Sequence, residues 1–175
     1  FVIAAGMMQQ FSSYASTGAL GAAVGAMGVT VCMIGQLFGK FGLGWLCDHT
    51  GARVSGVVAS IFGAAGIAIV LFSVDNAMMF YVGVFLFGIG FAALNIVPPM
   101  ACRQAFGQKD YANIFSMVAT GLNVFSGFSA LIYAQIFDIT GSFAGCFYLI
   151  IGFYVVTLIC SLVIVPMGRR SWAKK

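Results

Sequence analysis

The stretch "GKFGLGWLCDHTGAR", residues 39–53, interrupts two long apolar runs. Lys40 leads into it, and Asp48, the sole histidine, His49, and Arg53 gather at its end. Upstream the chain is apolar from about residue 20, and downstream it is apolar to about residue 74. Ionisable groups crowded into a short break between two such runs mark a connection between two elements buried in a common apolar medium. The whole chain fits that medium: 62% of its 175 residues are hydrophobic and 7% are charged. Soluble domains carry about 25% charged residues. The 8 basic and 4 acidic side chains cannot cover a water-soluble surface of this size, so the bilayer is the expected solvent.

Working outward from the break, six apolar segments emerge, at about 1–16, 20–46, 54–74, 77–100, 113–136 and 143–166. About 20 apolar residues in a helix cross the roughly 30 Å hydrocarbon core. Backbone groups in lipid must be satisfied within their own segment, and none of the segments alternates as a barrel strand does, so six transmembrane helices are expected. The first segment opens without an initiator Met or a basic stretch before it. No signal peptide is read from it, and the chain is expected to be a piece of a longer protein.

Basic residues orient the segments. Arg53 follows the second, Arg103 and Lys109 follow the fourth, and "GRRSWAKK" (168–175) follows the sixth, whereas the connections near 73–77 and 137–142 have no Lys or Arg. That alternation places the first two, and the basic tail 169–175, in the cytoplasm. Trp45 and Trp172 fall near the same interface. The five cysteines are odd in number and dispersed, with no CxxC pair and one His, which reads as apolar packing rather than a metal site or a disulfide framework.

Two segments have informative faces. In the second, Gly18, Gly21, Gly25, Gly28, Cys32, Gly35, Gly39 and Gly42 follow at spacings of 3, 4, 3, 4, 3, 4 and 3. This stripe of small residues predicts close approach of another helix, or a wall along a substrate path. In the fifth, Ser116, Thr120, Asn123, Gly127, Ala130 and Ala134 share one face, opposite Val118, Leu122, Phe125, Ile132 and Ile136. An unpaired amide at mid-span costs several kcal/mol, so Asn123 must face water or protein; it either lines an aqueous cavity or joins helices. Gln9, Gln10 and Tyr14 in the first segment are further candidates for a cavity wall. In the fourth, Pro98 and Pro99 are expected to kink or end the helix, with Asn95 one turn earlier meeting freed carbonyls or a ligand. No charge lies near the centre of a segment; Lys40 is the deepest and can snorkel. That disfavours a proton relay or an anion-binding cation inside this piece.

Residues 44–53, "GWLCDHTGAR", resemble the G-x-x-x-D-R-x-G-R-R/K signature of the major facilitator superfamily. Gly44, Asp48, Gly51 and Arg53 match it, while His49 replaces an arginine and Ala52 a basic residue. The place between the second and third of six helices also fits. The resemblance implies an all-α integral membrane protein, residues 1–168 forming the C-terminal half of a twelve-helix fold. It implies secondary active transport of a small solute by alternating access, as a symporter or antiporter, with these four residues forming a cytoplasmic gate; a plain solvated turn is the bland reading of the same residues. "AFGQKDYANIFSMVATG" and "IFDITGSFAGCFYL" are similar to the oxalate/formate antiporter and monocarboxylate branches, which implies an organic anion, a carboxylate. The implied partners are that solute, a coupling proton or counter-substrate, the lipid bilayer of a bacterial inner membrane and the missing N-terminal six-helix half. No cofactor and no nucleic acid are expected, nor an enzyme, since the lone His has no spaced partner. The rival reading is a non-transporting membrane scaffold or a six-helix protein that dimerises.

Overall fold

In the computed structural model the described residues are 2–17, 21–73, 76–106, 111–140 and 144–172, with side-chain surroundings given for most of them but not for 160–172. They form six helices: α1 (Val2–Thr17), α2 (Ala22–Thr50), α3 (Ala52–Phe72), α4 (Ala77–Phe106), α5 (Tyr111–Thr140) and α6 (Ala144–Trp172). Among the described residues α2, α3, α4 and α5 are long and apolar enough to cross a membrane.

The centre is a three-helix slab in which α4 lies between α2 and α3. Glycines let the backbones touch. A Cβ on Gly39 of α2 would lie 2.8 Å from Ile89 Cα and from Ala92 Cβ on α4, and one on Gly35 would collide with the Phe85 carbonyl oxygen. Gly88 of α4 reciprocates against the Cys32 carbonyl. On the other face of α4, Gly90 sits where a Cβ would lie 2.6 Å from Gly63 Cα of α3. Helices in lipid gain little from burying apolar surface, so close van der Waals packing along small residues holds them together.

Contacts of Gly28 with Phe80 and of Gly39 with Ile89 show α2 and α4 running parallel. The end of α2 and Arg103 of α4 therefore share one side of the slab. The buried stripe on α2 is Gly25, Gly28, Cys32, Gly35, Gly39, Leu43 and Cys47. It departs from the predicted stripe at both ends. Gly18 lies outside the described residues, Gly21 is exposed, and Gly42 has nothing within 4 Å of a Cβ. At about 100° per residue, the step from Gly39 to Leu43 holds the face better than a further step of three does.

Around the slab, α6 packs on α3, and α1 packs on α2 and α5. An aromatic core fills the junction: Phe11 of α1 meets Phe87 edge-on at 5.1 Å, and Phe87 meets Tyr154 of α6 at 6.4 Å. Cys32, Cys47, Cys102 and Cys146 are buried free thiols that pack as small apolar groups.

Two sequence expectations are corrected, and a third, that Pro98 and Pro99 kink or end α4, is narrowed. Pro98 and Pro99 do not end α4, which continues to Phe106; their missing N–H groups cost hydrogen bonds only toward the preceding turn. The connection read at 47–53 shrinks to Gly51 alone, because α2 extends to Thr50 and α3 starts at Ala52. The tail expected from residue 169 is helical through Trp172.

Candidate functional site

Pro98 and Pro99 have no amide hydrogen, so the carbonyls of Leu94 and Asn95 have no helical partner one turn on. Residues four apart share a helix face. Leu94, Asn95, Pro98 and Pro99 accordingly open together onto a cavity of about 200 Å³, closed on the α5 side by Phe115, Asn123 and Ser126. The structure thus brings together Asn95 and Asn123, two of the residues singled out in the sequence. Asn95 and Asn123 are both exposed.

Helix α5 explains how the amide reaches this place. Its packed strip is Ser129 and Tyr133, against which Gly6 of α1 closes. That strip lies between the two faces read from the sequence. Asn123, Thr120, Ser116 and Gly127 are exposed on one side of it, and Val118, Phe125 and Ile132 are exposed on the other. The helix therefore separates a polar face from an apolar face and is held along the boundary. Thr120 Oγ1 donates to the Ser116 carbonyl at 2.9 Å, and Ser116 Oγ donates to the Asn113 carbonyl at 2.8 Å. Their donors are used within the helix, which leaves acceptor lone pairs on the open face.

The other cavity candidates separate from this pair. Tyr14 packs its ring edge-on to Phe147 at 5.0 Å and stacked on Phe80 at 6.2 Å, inside the aromatic core. Gln10 is half-buried, and the surroundings of Gln9 lie outside the described residues. Ser126, one turn from Asn123, is a lining group that the sequence reading missed, although its spacing from Asn123 signals the shared face. Arg103 was legible only as a topological charge; with Pro99, Met100 and Tyr111 it borders a second hollow of about 370 Å³ that adjoins the first at Pro99.

At the same end of the slab lies the Asp48–Arg53 turn. Gly51 adopts φ 90° and ψ 167°, serving at once as the C-cap of α2 and the N-cap of α3. This region of backbone space is open essentially to glycine alone. Its N–H donates to the Cys47 carbonyl at 2.9 Å. Ser55 Oγ of α3, fully buried, donates to the Leu43 carbonyl of α2 at 3.1 Å and ties the two helices together. Gly44 has open space around it. Asp48 and Arg53 are both exposed and make no ion pair with each other among the described residues. Cys47 and Ala52 take the inward positions, so the next residue on each helix, about 100° round, points away from the bundle. Asp48 and Arg53 thus do not pair within this turn. His49 lies over Trp45 with ring centroids 4.5 Å apart, its Nδ1 2.9 Å from the Trp45 carbonyl oxygen.

With this geometry in hand, the fold finds a counterpart. Over 97% of its length the chain superposes on a POT family peptide transporter, solved in an auto-inhibited state, with a TM-score of 0.68. The six helices thus share the fold of part of that transporter. Sequence identity is 20%, and the chain spans 35% of that transporter's length. The likeness is one of fold, and it lends nothing to the narrower resemblance to the oxalate/formate or monocarboxylate branches. No protein-family model and no curated protein matches the sequence.

Proposed function

We propose that the chain is the C-terminal half of a secondary transporter that carries a small polar solute by alternating access. The observation that carries this reading is the open polar face of α5 beside Asn95. Uncovered amides and hydroxyls on a membrane-crossing helix are costly against lipid, so this face borders water between the halves, near the midplane where such carriers bind solute. All six helices span the bilayer in this reading. The Asp48, His49, Arg53 and Arg103 end faces the cytoplasm of a bacterial inner membrane, as does the C-terminus. Asp48, not paired with Arg53, meets the other half when the cytoplasmic side closes, with Gly44, Gly51 and Arg53 shaping that gate. Coupling is to a proton or a counter-substrate. An organic anion, the finer reading of the substrate, finds its cation at Arg103.

Thr120→Cys in the full transporter, reconstituted in sealed vesicles, tests the reading. A membrane-impermeant thiol reagent should label it from at least one side, and saturable solute uptake should fall once it is labelled. Absence of labelling from both sides overturns the proposal.

A further inference from the structure

We propose that the α4–α5 cavity binds a protonated primary amine on the solute; this names a substrate class for the transport reading above and rests on it.

The argument begins with hydrogen-bond accounting. Each side-chain amide, Asn95 and Asn123, offers donors as well as an acceptor, and Ser126 offers a hydroxyl. The backbone shifts the balance. Carbonyl oxygens of Leu94 and Asn95 are deprived of their helical donors by Pro98 and Pro99, on the helix face that borders the cavity. The wall is therefore richer in acceptors than in donors, and it calls for a group that brings N–H bonds. A primary ammonium has three and no acceptor. Freed backbone carbonyls on interrupted membrane helices hold cations in the same manner.

Size and surroundings narrow the choice. A water occupies about 30 Å³ of liquid, so a cavity of about 200 Å³ admits a solute of several heavy atoms. A bare alkaline-earth ion needs oxygens at about 2.3–2.6 Å on all sides and is too small for it. Phe115 presents a ring on the α5 wall, over which an alkylammonium can rest. A carboxylate meets oxygen on the α4 wall instead. Among the described residues the nearest bordering cation, Arg103, is eight residues beyond Asn95, about 12 Å along the axis, in the adjoining hollow. A solute with an amine at one end and an anionic group at the other fits both hollows.

Ala119 borders the cavity without a polar role. Ala119→Cys, introduced into the full protein in detergent, reports occupancy through its alkylation by N-ethylmaleimide, read at residue 119 by peptide mass spectrometry. The probes are n-butylammonium, butyrate and n-butanol at equal concentration. Butylammonium should slow alkylation at least about threefold, with butyrate and butanol leaving it unchanged. In the same background Asn123→Leu should abolish protection, and Asn123→Asp should lower the half-protecting amine concentration about tenfold, as a charged acceptor replaces a neutral one. Equal protection by butyrate or butanol overturns the proposal, as does amine protection that both Asn123 variants leave unaltered. Protection without solute uptake would refute the transport reading alone; uptake with protection by butyrate would refute the amine site alone.

Discussion

Replacing Gly35 by alanine probes the feature that holds the slab together. The added Cβ would collide with the Phe85 carbonyl oxygen and lie 3.1 Å from Phe85 C and 3.2 Å from its Cα. All three are backbone atoms of a long helix and cannot rotate aside. The helices must separate by a few tenths of an ångström or more, and a gap of about 0.5–1 Å forfeits a quarter to a half of each dispersion contact along the seam. Overpacking of this kind costs about 1–3 kcal/mol. Alanine also favours a helix over glycine by about 1 kcal/mol, so the fair reference is Gly42→Ala on the same helix, where a Cβ meets nothing within 4 Å. Gly42→Ala should be neutral or stabilising, and Gly35→Ala should be less stable than it by about 1–3 kcal/mol. Reversible unfolding in mixed micelles, followed by helical circular dichroism, measures the difference. Gly35→Ala as stable as Gly42→Ala would show that α2 and α4 are not in backbone contact.

Two further outcomes follow from the geometry. Gly51→Ala forces a side chain into a backbone region costing about 1–3 kcal/mol, and the same unfolding measurement should show that loss while Gly44→Ala shows none. Pro98→Ala combined with Pro99→Ala returns two N–H donors to α4; it should raise stability by up to about 3 kcal/mol per site and weaken amine protection of Ala119→Cys, and unchanged protection would separate the carbonyls from the site.

The helices were legible because spans and basic connections are written in composition: segments of about 20 apolar residues leave few alternatives in lipid. Asn123 stood out in the sequence because an amide is costly in hydrocarbon, and Asn95 because it lies one turn before Pro98 and Pro99. Tyr14 was not, since an aromatic ring with a hydroxyl suits a cavity wall and a core equally well, and only the positions of Phe80 and Phe147 decide. The reach of α4 past Pro98 was missed because a proline weakens the turn before it without forbidding the turns after it. Arg103 was visible as a charge, but its hollow depends on Tyr111, across a connection whose path the sequence does not specify.

The one-residue join at Gly51 has a mechanical meaning. With α2 linked to α3 without slack, and both keyed to α4 by backbone contact, these three helices behave as one stiff plate. Helix α5, fastened along a narrow line at Ser129 and Tyr133, is the compliant member. In the proposed transport cycle, strain from a moving partner half would therefore concentrate in the α4–α5 gap, and the proposed solute groove would also be the seam along which this half yields.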